Sequence, residues 1–225
     1  SCGVTTIEMV RCWGQDKPEV QAMYEDYENW AQVSAGNLHA RGVTTSENLH
    51  CWGPFNSILY WGGEPTGKSW AQVSAGSTHT CGITRSGECH CWGQDDYGET
   101  LGIPTGKTWA QISAGAYFTC GVTTSGDGYC WGLDLYNQVS GLPTGKTWAQ
   151  ISTGSFHACG VTTSGKVFCW GNDNSGESTV DSTLTRVDLS AVGFYRLGKD
   201  NMECPTGMTS NRGAIMVSAC TPTSS

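Results

Sequence analysis

Apolar and polar residues alternate over short segments of this chain, and the clearest example lies between residues 109 and 132. Residues 109–115 read Trp-Ala-Gln-Ile-Ser-Ala-Gly and alternate as a half-buried strand does, while residues 117–123 are rich in residues that favour strands. A Thr-Ser-Gly-Asp turn at 124–127 leads to a third short segment that ends at Gly132. Because no helical period is present, the pattern predicts three or four short antiparallel strands per unit.

This unit recurs along the chain, and each copy ends in Cys-Trp-Gly. The tryptophans of that ending are spaced by 39, 40, 39 and 39 residues: Trp13, Trp52, Trp92, Trp131 and Trp170. Short strands in a repeat of this length are typical of a propeller, in which each blade is one small antiparallel sheet. We therefore predict an all-β fold, a single β-propeller domain over residues 1–225. Its repeats are predicted at about 1–14, 30–53, 70–93, 109–132 and 148–171, with a degenerate closing region at 186–220.

The number of blades follows from the two ends of the repeat pattern. Residues 1–5 match the second strand of the unit, and residues 214–220 align with the first strand at 30–36. We expect the C-terminal strand to complete the N-terminal blade, because an open edge strand invites pairing with other chains. Four full blades, one degenerate blade and this composite blade make about six. Five blades and a C-terminal cap are the alternative.

Twelve cysteines in 225 residues indicate an oxidising compartment and disulfides that staple the fold, so a secreted, extracellular protein is predicted. Four pairs lie ten residues apart on the two arms of a hairpin, where antiparallel pairing brings Cα atoms within disulfide reach. These pairs are Cys2 with Cys12, Cys81 with Cys91, Cys120 with Cys130, and Cys159 with Cys169. Arg41 replaces the first cysteine of the second copy, so we predict that Cys51 links to the surplus Cys89 of the next blade. Cys204 and Cys220 remain and would pair in the tail.

The charge balance argues against two classes of partner. The net charge is −8 and the isoelectric point is about 5.0, with only 12 lysines and arginines scattered along the chain. Nucleic-acid binding usually needs a basic face, and an anionic membrane surface is disfavoured for the same reason. No apolar run reaches the 18 or so residues that span a bilayer, so membrane insertion is not expected.

The order of motifs in the repeat resembles the regulator-of-chromosome-condensation repeat. The third copy shows it best, with Val-Ser-Ala-Gly-Ser-Thr-His at 73–79, Gly-Ile-Thr-Arg-Ser-Gly at 82–87 and Cys-Trp-Gly-Gln-Asp-Asp-Tyr-Gly at 91–98. The resemblance covers about residues 1–180 and implies a propeller, usually of seven blades with longer repeats. That family includes a nucleotide-exchange factor, a plant ultraviolet photoreceptor and secreted β-lactamase inhibitor proteins, so it implies no single function. A weaker similarity, through Trp-Ala-Gln-Ile, is to the tectonin and tachylectin lectins.

An aspartate follows the Trp-Gly ending in several copies and marks the candidate binding loops. Asp can close a turn through its own backbone, or it can belong to a ring of carboxylates on one propeller face. With aromatic residues close by, such carboxylates could bind sugar hydroxyls while a ring stacks on the sugar. The candidate ligand-binding residues are Asp95, Tyr97, Asp134, Tyr136 and Asp173, together with Tyr60 and Trp61 in a loop that interrupts the repeat.

Repeated chemistry favours binding over catalysis, which needs one asymmetric constellation on a scaffold. Equivalent histidines such as His39, His79 and His157 fall in different blades, so we interpret them as structural hydrogen-bonding groups rather than metal ligands. No catalytic or metal-binding motif is present, and no cofactor is expected. The leading hypothesis is a multivalent lectin that binds glycans. A protein-binding or inhibitory propeller that uses one face, and a structural or storage protein, are the alternatives.

Overall fold

The computed structural model describes residues 29–37, 39–52 and 63–179, together with short strands on either side of these ranges. The described residues are all β, without a helix. Four antiparallel sheets of three strands each follow one another, and we number them blades 1 to 4. In every blade the first strand is the inner strand, the second is the middle strand and the third is the outer strand.

The strand bounds repeat closely from blade to blade. Blade 1 comprises β3 (Trp30–Ala35), β4 (Ala40–Thr44) and β5 (Leu49–Trp52), and blade 2 comprises β6 (Trp70–Ala75), β7 (His79–Thr84) and β8 (Cys89–Gly93). Blade 3 comprises β9 (Trp109–Ala114), β10 (Phe118–Thr123) and β11 (Gly128–Gly132), and blade 4 comprises β12 (Trp148–Thr153), β13 (His157–Thr162) and β14 (Val167–Gly171). Short hairpins precede and follow these blades: β1 (Cys2–Val4) with β2 (Val10–Cys12), β15 (Phe194–Leu197) with β16 (Asp200–Glu203), and β17 (Met208–Ser210) with β18 (Cys220–Pro222).

The core lies between the blades, as expected for stacked sheets that are each too small to have a core of their own. Cys81 and Ile83 of blade 2 pack against Trp109, Ile112 and Trp131 of blade 3. The same contact recurs between blades 1 and 2 and between blades 3 and 4. The repeated tryptophans therefore pack between blades, as aromatic side chains with large apolar areas do.

The glutamine and serine of the Trp-Ala-Gln-Ile-Ser segment link neighbouring inner strands. Gln72 donates through Nε2 to the carbonyl of Ile112 (3.1 Å), and its Oε1 accepts from the amide of the same residue (2.9 Å). Ser74 Oγ accepts from the amide of Ala114 (2.9 Å). Because the same bonds recur from blade 1 to 2 and from blade 3 to 4, polar side chains hold the inner strands side by side. These strands line a concave, partly open cavity of about 710 Å³.

Three of the predicted hairpin disulfides are confirmed. Cysteines directly opposite each other on middle and outer strands are bonded, with Cα atoms 4.0 to 4.1 Å apart: Cys81–Cys91, Cys120–Cys130 and Cys159–Cys169. Cys2 stands opposite Cys12 in the register of β1 and β2, which suits the predicted fourth bond. Cys204 lies outside the described residues, so its pairing with Cys220 stays a prediction.

The predicted link between Cys51 and Cys89 is wrong, because both are free thiols in the structure. Cys51 stands opposite Arg41, and the guanidinium of Arg41 lies 5.4 Å from the centre of the Trp92 ring, so Cys51 faces blade 2. Cys89 shares a strand face with Cys91 and packs with the cluster that includes Trp109 of blade 3. The sheet of blade 2 therefore separates the two thiols.

The all-β propeller architecture is confirmed for the described blades. Most of the predicted degenerate region at 186–220, including residues 214–219 of the predicted closing strand, lies outside the described residues. Six blades and closure by the C-terminal strand therefore stay predictions.

Candidate functional site

The chain's repeated loops gather at one end of the blades, which we call the upper face. It carries the turns at 76–78, 115–117 and 154–156 and the loops at 94–102, 133–141 and 172–179. Backbone bonds hold each loop beside a turn: the amide of Leu133 donates to the carbonyl of Tyr117 (2.8 Å), and the amide of Asn172 donates to that of Phe156 (2.9 Å). The opposite end, the lower face, carries the turns at 45–48, 85–88, 124–127 and 163–166.

Asp95 and Asp134 organise the first two loops from within. Asp95 Oδ1 accepts from the amides of Thr100 (2.6 Å) and Leu101 (3.0 Å), and Asp134 Oδ1 accepts from those of Val139 (2.8 Å) and Ser140 (3.0 Å). The loop-closing interpretation of these aspartates is thus confirmed.

Asp173 has the same role in the third loop. Its Oδ1 accepts from the amide of Ser178 (2.8 Å), and its Oδ2 accepts from the hydroxyl of Thr179 (2.8 Å). The hydroxyl of Thr179 and the amide of Ser178 are the main causes that hold the pKa of Asp173 below its ordinary value. For Asp134, partial burial raises the pKa, but hydrogen bonds from Ser140 and Val139 outweigh it and the pKa is lowered. Both carboxylates are therefore ionised at neutral pH.

A second polar side chain supports each loop two residues after the tyrosine position. Glu99 Oε2 accepts from the amide of Tyr97 (2.8 Å), and Gln138 Oε1 accepts from the amide of Tyr136 (2.7 Å). Both side chains are fully buried, and their backbone carbonyls accept from the indoles of Trp131 and Trp170 in the next blade. The loops are fixed to the scaffold, which presents their tyrosines in a defined place.

The two loop tyrosines stand at the ends of one aromatic row on the upper face. Tyr97 meets Tyr117 with ring centres 5.8 Å apart, Tyr117 meets Phe156 at 6.2 Å, and Phe156 meets Tyr136 at 5.6 Å. We call these four residues the aromatic row. The structure thus joins Tyr97 and Tyr136 through two residues on the turns between them, rather than leaving them as two separate sites.

Large hydrophobic side chains lie exposed beside and within this row. Leu101 is 85% exposed, Leu135 is 69%, Tyr97 is 53% and Tyr136 is 38%. All four belong to the upper-face loops of blades 2 and 3. Burial of such a surface against a partner is favourable because it removes apolar area from water.

The sequence prediction missed Tyr117 and Phe156. Both occupy the last position of the turn before the middle strand, where blade 2 has Thr78. The sequence does show an aromatic residue at this repeat position in blades 3 and 4, where blade 2 has a polar one. That these aromatic residues lie close to the tyrosine loops, however, depends on how the blades pack. Tyr60 and Trp61 lie outside the described residues, so their role stays a prediction.

His39 and His79 link blades, as their structural interpretation expected. His39 Nε2 lies 2.8 Å from Thr80 Oγ1, and His79 Nε2 lies 2.8 Å from Thr119 Oγ1 of the next blade. Burial, with a smaller effect from Arg41, lowers the pKa of His39 to about 4, and burial with the nearby His39 lowers that of His79 to about 4. No cluster of His, Cys, Asp and Glu among the described residues could hold a metal ion.

Comparison with known proteins confirms the predicted resemblance. The family model described as Regulator of chromosome condensation (RCC1) repeat matches residues 70–99, 109–138 and 148–177, which are blades 2, 3 and 4 with the start of each following loop. No curated protein matches the chain significantly by sequence.

Solved structures extend the likeness beyond these three repeats. The ectodomain of the receptor kinase CR4 from Physcomitrella patens is 25% identical, with a TM-score of 0.64 over 86% of this chain and 54% of that one. The CRINKLY WD40 ectodomain of the Arabidopsis thaliana receptor kinase ACR4 is 25% identical, with a TM-score of 0.58 over 76% of this chain and 59% of that one. Yeast RCC1 (Prp20), solved bound to Kap60, shares the fold at 16% identity and a TM-score of 0.59, over 70% of this chain and 47% of that one. This chain thus spans between 47% and 59% of the length of these three proteins.

No helix capable of crossing a membrane occurs in the part of the chain that the structure describes.

Proposed function

We propose, from the regulator-of-chromosome-condensation repeats in blades 2 to 4, that this chain is an extracellular, non-catalytic protein that binds a protein partner through its upper face. The observation that carries this proposal is the aromatic row, which connects two tyrosine loops into one continuous surface. Exposed aromatic residues on a rigid scaffold are the typical anchors of protein interfaces.

The extracellular part of the proposal rests on the cysteines and on the relatives. Three disulfides occur within the described blades, and such bonds persist in oxidising compartments. Two of the similar solved structures are ectodomains of receptor kinases. The yeast relative was solved with a protein partner, which is compatible with protein binding by this fold.

A lectin is the second candidate function. In its favour, Tyr97 and Tyr136 stand on loops of the same construction, each with an aspartate two residues earlier. Against it, Oδ1 of both aspartates already accepts two backbone amides, and exposed leucines suit a protein surface better than a sugar. The untested roles of Asp95, Asp134, Asp173, Tyr60 and Trp61 belong to this candidate or to a wider interface.

Affinity capture from the extracellular fluid of the source tests the proposal. The double variant Tyr97→Ala with Tyr136→Ala should lose a partner that the unmodified chain retains, whereas Tyr129→Ala, in the same blade as Tyr117 but outside the row, should keep it. Each variant is first shown to melt as the parent does.

The two candidates predict different results. A one-to-one protein complex that the row variant abolishes supports protein binding. Retention of that complex by the row variant contradicts it. Binding on a glycan array, with stepwise loss as Tyr97 and then Tyr136 are removed, would instead support the lectin.

A further inference from the structure

Positive charge is confined to one end of the described blades. Apart from the buried Arg41, every lysine and arginine in residues 29–37, 39–52 and 63–179 lies at the lower face: Lys68, Arg85, Lys107, Lys146 and Lys166. Their place follows from the backbone, because the strand entries at 69, 108 and 147 are bonded to the lower turns. The amide of Trp109, for example, donates to the carbonyl of Gly87 (2.8 Å), and that of Trp148 donates to Gly126 (2.8 Å).

Several of these cations already have partners on their own face. Lys68 Nζ lies 3.1 Å from Glu88 Oε2, and Arg85 Nε lies 2.8 Å from Glu47 Oε1. Lys107 Nζ lies 4.8 Å from the centre of the Tyr129 ring, a cation–π contact. The lower face therefore mixes both signs of charge, and Lys68, Arg85 and Lys107 each have a partner there.

The upper face carries charge of one sign around the aromatic row. Its carboxylates lie in the same loops as the two tyrosines and in the loop after blade 4: Asp95, Asp96, Asp134, Asp173 and Glu177. Backbone amides donate to Asp95, Asp134 and Asp173 and orient these carboxylates without removing their charge. No lysine or arginine of the described ranges lies among them.

We infer that the partner of the aromatic row is a basic, apolar protein segment, in which lysine or arginine residues flank exposed apolar side chains. This inference rests on the proposed function, because it concerns the same face. Apolar side chains would cover the row and Leu101 and Leu135, and the flanking cations would meet the surrounding carboxylates. Arginine suits this surface especially, since its guanidinium stacks on tyrosine and pairs with carboxylates.

An acidic partner does not fit this arrangement. Like charges placed opposite each other across an interface are costly, and the upper face offers no cation of the described ranges to offset them. The attraction of a basic segment also steers its approach, and it weakens as salt rises.

Short peptides of equal length serve as probes for the full chain. One alternates lysine with leucine, one alternates glutamate with leucine, and one alternates lysine with serine. Fluorescence anisotropy at low and moderate salt should show binding of the lysine–leucine peptide at least about tenfold tighter than the other two. Added salt should weaken that binding.

Glu177→Gln tests the charge without changing the loop. Gln138 occupies the same position in blade 3, and its Oε1 accepts a backbone amide at 2.7 Å as Glu177 Oε2 does. This variant should weaken the lysine–leucine peptide about two- to fivefold. Asp127→Asn removes one negative charge from the lower face and should leave affinity unchanged, so it is the matched control.

The results separate this inference from the proposed function. Equal binding of the lysine–leucine and glutamate–leucine peptides, both lost in Tyr97→Ala with Tyr136→Ala, would overturn the charge inference alone. Equal weakening by Asp127→Asn would overturn it as well. Peptide binding that the row variant leaves intact would overturn the proposed function itself.

Discussion

At the scale of single residues, the middle-strand glycine shows how closely the tryptophans pack. A Cβ built on Gly121 would lie 2.7 Å from Cζ3 of Trp109, closer than side-chain carbons approach each other. Gly42, Gly82 and Gly160 face the inner-strand tryptophans of their own blades in the same way. The repeat thus pairs a large inner-strand residue with the smallest possible neighbour.

Gly121→Ala should lower the free energy of unfolding by about 1–3 kcal/mol, because the added methyl group forces the Trp109 ring or the backbone to move. Urea denaturation measures the effect. Ala110→Ser, at an exposed position of the same inner strand, is the control and should change stability little. A Gly121 variant as stable as the parent would show that the tryptophan is free to shift.

The buried histidines give the fold a pH dependence. Because their pKa in the folded state is lowered from 6.5 to about 4, the unfolded chain binds more protons between these values, and stability is lost as the pH falls below 6.5. By pH 4, each of His39 and His79 should have lowered the free energy of unfolding by about 3 kcal/mol. The aspartates of the loops, whose pKa is also lowered, lose their contribution at lower pH.

Denaturation at pH 7, 5.5 and 4.5 tests the histidine effect. His79→Phe is the informative variant, because blade 3 already holds Phe118 at the equivalent position. Its stability should fall less steeply with acid than that of the parent. If the free energy of unfolding fell equally with pH in both proteins, His79 would have the same pKa in the folded and unfolded states.

At the scale of the elements, the hairpin disulfides reinforce strands that are only five or six residues long in blades 2 to 4. Replacement of Cys120 and Cys130 by serine should lower the free energy of unfolding by roughly 2–3 kcal/mol, mainly because the unfolded chain regains freedom. Calorimetry measures the loss. Peptide mapping without reduction should recover Cys120 bonded to Cys130, and a bond from either residue to another blade would contradict the hairpin assignment.

The two free thiols of blades 1 and 2 make a separate prediction. Burial raises the pKa of Cys51 to about 11 and that of Cys89 to about 12, so both should resist alkylation in the native protein. After unfolding without reductant, peptides that contain Cys51 and Cys89 should each carry the alkylating agent. Recovery of the two peptides joined by a disulfide would contradict the structure, in which Cys51 and Cys89 lie on opposite sides of blade 2.

At the scale of the whole molecule, the blades act as one stack because each interface is both apolar and hydrogen-bonded. Tryptophan packing supplies the buried area, and the inner-strand glutamines and serines bond each blade to the next. The last described blade offers Gln150 and Ser152 at the corresponding positions. A change that breaks the contacts between two blades should therefore lower the stability of the whole stack.

Ring closure by the C-terminal segment is the prediction that belongs to this scale. Removal of residues 211–225 should lower the melting temperature by many degrees, because the composite blade predicted from residues 1–14 would lose its predicted inner strand and leave an open edge. Thermal unfolding followed by circular dichroism measures the change. A chain that melts unchanged after the truncation would favour five blades with a dispensable cap.

Features that depend on local order along the chain could be predicted from the sequence. Alternation, turn chemistry and the spacing of the tryptophans gave the strands, the blade period and the hairpin cysteine pairs, because antiparallel register follows directly from hairpin geometry. The loop-closing aspartates were also accessible, since an aspartate bonds amides a few residues away. The cysteine pairs and the aspartate contacts span ten residues or fewer.

The contacts between blades could be established only from the three-dimensional structure. The sequence could not show that Cys51 and Cys89 face opposite sides of blade 2, because repeat position alone does not state which face packs on which neighbour. It likewise could not place Tyr117 and Phe156 between Tyr97 and Tyr136. Contacts across blades join residues about 40 positions apart, and they depend on how twisted sheets stack, a property that no single segment of the chain encodes.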